Sequence, residues 1–175
     1  MIITVLLVFF VVVPSIVLHE YAHGWMAYRQ GDPTASRMGR LTLNPIKHVD
    51  PVGTVIVPIG LYLLHAFGLT HSLIMFGWAK PVPVNFYALR RPRLGKILVA
   101  LAGPVTNLCI AFVLAQCLKF GILYRLGEFF LWGVLLNVAL AVFNLLPIPP
   151  LDGSRVVSGL IPAAWDRVYS KLEPF

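Results

Sequence analysis

Charge is scarce in this 175-residue chain. Lys, Arg, Asp and Glu together make up 12% of it, where a soluble domain usually carries about a quarter. That shortage, with 58% hydrophobic residues and a mean hydropathy of +0.82, excludes an ordinary soluble domain and implies a lipid surrounding. Only two cysteines occur, Cys109 and Cys117, in one apolar segment at helical spacing. They offer neither a disulfide framework nor a thiolate zinc site, and read as packing residues. No linker, repeat or low-complexity tract divides the chain, so residues 1–175 are expected to form one membrane-embedded unit. No basic region precedes the apolar run at Ile2, and no small-residue cleavage site follows it before His19 and Glu20. The run is therefore expected to be a permanent helix rather than a signal peptide.

Four apolar stretches are present, Ile2–Tyr28, Val52–Trp78, Leu94–Lys119 and Phe129–Leu146, and a spanning helix needs about 20 residues. The net charge of +7 does not indicate nucleic acid, because the Lys and Arg residues lie in short loops where they set topology and meet anionic lipid head groups. Arg29, Arg37, Arg40 and Lys47 follow the first stretch, and Lys80, Arg90, Arg91, Arg93 and Lys96 precede the third. The positive-inside rule puts both sets on the cytoplasmic face. They share a face if Val52–Trp78, interrupted by Gly53, Pro58, Gly60, His65, Gly68 and His71, enters the membrane and returns rather than crossing it. Such backbone is tolerated at membrane depth where it is buried in protein or lines a wet cavity. The expected fold is an α-helical integral membrane protein with three core transmembrane helices. A re-entrant or additional segment at 52–78 and short strands or loops on the cytoplasmic side complete it. Arg37–Leu43 is the candidate strand, and its edge could pair with an extended substrate.

The chemistry-bearing motif is His19-Glu20-Tyr21-Ala22-His23. On a helix His19 and His23 fall at i and i+4 on one side, where both can hold Zn²⁺, with Glu20 beside them as general base. Ionisable groups in an apolar segment are functional candidates by default. A catalytic zinc normally takes three protein ligands and keeps a fourth position for water. The best third ligand is Asp152, in Asn144-Leu145-Leu146-Pro147-Ile148-Pro149-Pro150-Leu151-Asp152-Gly153, where the prolines cannot continue a regular helix. With three true spans and a re-entrant second segment, Asp152 and the histidines lie toward the same side. His48 and Asp50 are alternative ligands but fit better as loop-ordering residues; His65 and His71 are weaker candidates. Arg155 is expected to snorkel to the surface, and Ile161–Trp165 to lie at the membrane interface.

These motifs resemble the site-2 protease family of intramembrane zinc metalloproteases: HEYAH at 19–23, GPVTN at 103–107 and NLLPIPPLDG at 144–153. The resemblance is greatest to the short bacterial and archaeal branch without a PDZ domain, through GDPTASRMGRLTLNPIKHVDPVG and GWAKPVPVN. It implies His19, His23 and Asp152 as ligands of one Zn²⁺ per chain, Glu20 as catalytic acid/base, and Asn107 and Asn144 as polar groups near the scissile peptide. Zinc would polarise the peptide carbonyl and acidify a water, Glu20 would take the proton, and an amide would stabilise the oxyanion. The asparagines have an alternative as interhelical hydrogen-bonding groups. The resemblance also implies transmembrane substrates, regulatory proteins or signal-peptide remnants, in a prokaryotic cell (inner) membrane, with the active site toward the cytoplasm. The family often has a further apolar helix near the C-terminus. Its absence after Asp152 leaves open a shortened chain and a homo-oligomer or partner.

Two other classes fit less well. A metal transporter should string polar residues along a path, often with internal repeats, whereas here they converge. An inactive helix-binding scaffold would have no need of Glu20 together with a full ligand set.

Overall fold

Prolines mark the entrances to the first two apolar helices. In the computed structural model, which describes residues 8–70, 77–121 and 126–162, helix α1 (Val13–Arg29) follows a π-helical turn at Val8–Val12, and α3 (Val57–Ala66) follows one at Pro51–Ile56. Pro14 and Pro58 stand at the second position of each helix. A proline ring crowds the carbonyl four residues back and offers it no N–H, and the wider π turn accommodates both effects. The short α2 (Thr34–Arg37) separates these two helices; α4 (Pro92–Lys119), α5 (Gly127–Asn144) and α6 (Asp152–Leu160) follow.

Helix α4 is the centre of the molecule and packs on α1, α5 and α6. Its buried residues include Gly95, Val99, Gly103, Asn107 and Ala111, a stripe in steps of four. Matching stripes run along α1 at Ser15, His19, His23 and Ala27, and along α5 at Gly133, Asn137 and Ala141. Small side chains let backbones approach closely where no hydrophobic force drives helices together. The opposite faces carry exposed Phe112, Val113, Leu131, Trp132, Val142 and Phe143.

Helices α4 and α5 are long and apolar enough to cross a membrane, and only 33% and 17% of their most apolar windows are buried. A soluble core helix would be mostly buried, so these faces call for lipid. The expected third core span is not established among the described residues. Helix α1 has 17 α-helical residues, and residues 1–7 lie outside the described part. Cys109 also departs from expectation, being exposed on α4 rather than packed in the protein.

The second apolar stretch goes out and comes back. Its beginning and end meet: Trp78 N–H donates to the Gly53 carbonyl at 3.2 Å, and Thr54 Oγ1 donates to the Trp78 carbonyl at 2.8 Å. A Cβ on Gly53 would overlap the Trp78 ring, so glycine permits this closure. Asp50 caps the outgoing turn by accepting from Val52 and Gly53 N–H, a contribution of about 1 kcal/mol. The two basic loops consequently touch. Lys80 N–H donates to the His48 carbonyl, and the buried Arg40 donates to the Lys80 and Pro81 carbonyls. Arg40 is therefore an internal tie rather than a lipid-facing charge. His65 Nδ1 lies 3.2 Å from the Thr70 carbonyl, and His71 is outside the described residues.

No strand occurs among the described residues, and the candidate at Arg37–Leu43 is a helix end instead. Gly39 takes φ +63°, and the N–H groups of Arg40 and Leu41 both reach back to the Ala35 carbonyl. This glycine-centred reversal closes α2 and overrides the apolar alternation that follows.

Candidate metal centre

His19 and His23, four residues apart on α1, turn their Nε2 atoms to within 3.0 Å of each other. Asp152 Oδ2 lies 3.2 Å from each. This residue comes from the first turn of α6, after the proline-rich turn expected to free it. The three ligating atoms all lie within 4.8 Å of one another.

Their protons are arranged for a cation. His19 Nδ1 is 2.6 Å from Asn107 Oδ1, and His23 Nδ1 is 2.7 Å from the Val99 carbonyl. Both partners are acceptors, so each neutral ring carries its proton on Nδ1 and turns an Nε2 lone pair toward Asp152. No proton remains there for the carboxylate, and Asp152 Oδ2 is buried without a hydrogen-bond partner. An orphaned buried carboxylate oxygen is costly unless a cation satisfies it. Two imidazole nitrogens and one carboxylate suit Zn²⁺, and the residues fit that group.

Burial works to raise the Asp152 carboxyl; with a proton on Nε2 in place of a metal, hydrogen bonds from the two imidazoles outweigh that and hold it at about 2, below the ordinary 3.8. Protons compete with a metal for imidazole nitrogen, so acid should release a bound metal before it discharges Asp152. Zinc retention on dialysis should be full at about pH 7.5 and fall progressively between about pH 6 and 4. Retention down to about pH 3 would count against imidazole ligation.

Two motif glycines are explained by close approach. A Cβ on Gly103 of α4 would lie 2.6 Å from His19 Nε2 and overlap His23 Nε2. A Cβ on Gly153 would overlap the Leu145 carbonyl at the end of α5. The first lets α4 pass against the histidines, and the second lets α6 tuck Asp152 under α5.

His19, His23 and Asp152 line a cavity of about 340 Å³ together with Glu20, Asn144 and Arg155. Glu20 Oε2 accepts from Val82 N–H at 2.8 Å, which orients the carboxylate. Val82 belongs to the returning segment tied down by Arg40. Asn144 Nδ2 donates to the Leu140 carbonyl in its own helix. Arg155 sits with its guanidinium 4.8 Å from the Phe86 ring centroid, on the cavity wall rather than snorkelling away. Asn107 does not line the cavity; it is fully buried behind His19. His48 and Asp50 are not part of the ligand cluster. His48 Nε2 bonds the Thr42 carbonyl and Asp50 caps its turn, the loop-ordering roles expected of them. Val82 and Asn137, described below, were not evident from motif spacing. An isolated asparagine within a stripe of small residues was the available signal for the latter.

The model of peptidase family M50 matches residues 6–125 and 121–172. The chain belongs to peptidase family M50. Among its M50-like relatives, "Putative zinc metalloprotease YwhC" of Bacillus subtilis is 43% identical over 158 residues, covering 85% of this chain and 66% of that protein. "Putative zinc metalloprotease Rip2" of Mycolicibacterium smegmatis is 32% identical, covering 79% and 51%. "Putative zinc metalloprotease MJ0611" of Methanocaldococcus jannaschii is 49% identical over 63 residues, covering 34% and 31%. The chain thus spans less than two thirds of the length of these relatives. No solved structure matches it. The M50 match includes the helices that carry His19, Glu20, His23 and Asp152.

Proposed function

We propose that the chain is an intramembrane zinc metallopeptidase that hydrolyses peptide bonds within or near transmembrane segments of other membrane proteins. The observation that carries this is the convergence of His19 Nε2, His23 Nε2 and the orphaned Asp152 Oδ2 beside Glu20 in one cavity. Family membership and the two outward-facing apolar helices support it.

A bound Zn²⁺ supplies a Lewis acid and a water of lowered pKa. Glu20 is the general base: Val82 N–H holds one carboxylate oxygen, and the other takes the proton from the attacking water and returns it to the departing amine. Asn144 has an amide hydrogen beyond the one given to Leu140, available to a developing oxyanion on the cavity wall. Asn107 acts behind the metal site rather than on substrate. The tied basic loops support a cavity facing the cytoplasmic side of a prokaryotic cell membrane, a re-entrant second stretch and α1 as the third core span.

The test is zinc content and cleavage of a single-span test protein in detergent, for wild type and Asp152→Ala. Wild type should carry one zinc per chain and cut; Asp152→Ala should lose its zinc and fall to background cleavage. Zinc uptake into proteoliposomes by a wild type that cuts none of a broad substrate panel would show a transporter instead.

A further inference from the structure

Behind His19 stands a chain of hydrogen bonds with only one direction. Asn107 Oδ1 accepts from His19 Nδ1, Asn107 Nδ2 donates to Asn137 Oδ1 at 2.9 Å, and Asn137 Nδ2 donates to the Gly133 carbonyl at 2.9 Å. Both asparagine side chains are fully buried, and the chain links α1 through α4 to α5.

We infer that Asn137 is a positioning residue which, through Asn107, sets the His19 tautomer and thereby the affinity of the metal site. The inference rests on the metal-binding reading above. A primary amide is nearly symmetrical in shape, so turning it over exchanges donor for acceptor at little steric cost. Asn107 alone could therefore meet His19 with either end. Presented with the NH₂ end, the ring would have to leave Nδ1 bare and carry its proton on Nε2, where the metal binds. Asn137 removes that choice by offering an acceptor to the Asn107 NH₂ group. Its own direction is set by the Gly133 carbonyl, a backbone acceptor that cannot be turned over. Polarity thus passes from a fixed backbone group, through two amides, to the Nε2 lone pair of a metal ligand. Hydrogen bonds behind metal-bound histidines act in this way, and losing them typically costs about 10–100-fold in metal affinity.

Asn137 touches neither ligand nor cavity, so a purely structural asparagine is the competing account. Asn137→Asp separates the two, because its neutral carboxyl keeps an oxygen to accept from Asn107 and an O–H to give to the Gly133 carbonyl. Zinc affinity should fall about 10–100-fold in Asn137→Ala and recover at least in part in Asn137→Asp. Chelator competition in detergent measures it. In metal-free protein labelled with ¹⁵N-histidine, the His19 resonances, assigned by loss in His19→Gln, should show the Nδ1–H form in wild type and gain an Nε2–H population in Asn137→Ala. Should Asn137→Ala fail to fold, Asn107→Asp and Asn107→Leu apply the same test one step closer. The Asp variant, whose neutral carboxyl accepts Nδ1–H and gives its O–H to Asn137 Oδ1, should bind zinc about as tightly as wild type, and the Leu variant about 10–100-fold more weakly. Equal zinc affinity in wild type and in a folded Asn137→Ala or Asn107→Leu variant, with unchanged ¹⁵N signals, overturns the relay while leaving the metal site standing. A wild type that binds no zinc overturns the metal reading and the relay with it.

Discussion

Glu20→Gln should retain one zinc per chain while its kcat/KM on a single-span test substrate drops by about 10²–10⁴-fold, the usual range for removing a general acid–base group. Glutamine has nearly the same shape, and its side-chain oxygen can still accept from Val82 N–H as Glu20 Oε2 does at 2.8 Å. Orientation in the cavity is thus preserved, and only the capacity to take a proton is removed. The ligand atoms of His19, His23 and Asp152 form a cluster without Glu20, so zinc content should not follow activity down. Parallel loss of zinc and activity would make Glu20 a structural or ligating group. Undiminished cleavage would remove it from the chemistry altogether.

A single methyl group at Gly103 should abolish zinc binding. The added Cβ would lie 2.6 Å from both Cε1 and Nε2 of His19 and overlap His23 Nε2, atoms on the face where the ligands meet. Those rings cannot swing aside freely, because their Nδ1 atoms are held by Asn107 and Val99. Relief must come from separating α1 and α4, at an overpacking cost of about 1–3 kcal/mol. The sign is informative, since Ala for Gly within a helix is favourable by about 1 kcal/mol where nothing obstructs it. Gly60 in α3 has nothing within 4 Å of a built Cβ, so Gly60→Ala is the control and should bind zinc as wild type does. Gly103→Ala should show background zinc and background cleavage with a lowered unfolding midpoint. Wild-type zinc binding by this variant would mean that the helices do not approach as described.

Much of the centre was legible because its parts are local. His19 and His23 share a face through helical geometry alone, and Gly103 and Asn107 do so for the same reason. The prolines before Asp152 announced a break wherever the helices packed. The two ends of the second stretch meet at Trp78 and Gly53, which fits the charge argument that set both flanking loops on one face. Loop charge was less informative for individual residues. Arg40 counted as a topological charge and Arg155 as a snorkelling one, yet the first ties down a cavity wall and the second stacks on Phe86 in that wall. The strand expected at Arg37–Leu43 failed because alternation over a few residues is weaker than a helix end closed by a glycine of positive φ.

The sequence by itself determined the chemistry available: two imidazoles and a carboxylate for a metal, a neighbouring glutamate, and apolar helices to carry them. These depend on residue identity and on spacing within one helix, which the backbone repeat imposes. Tertiary structure alone decided which distant groups meet. Val82 reaches Glu20 across 62 positions, and Asn107 reaches His19 across 88. Asn107 in turn became a hydrogen-bond partner of His19 rather than a group on the cavity wall. Such pairings depend on the relative register of separate helices, which arises from the packing of small-residue faces along their full length and has no counterpart in local spacing.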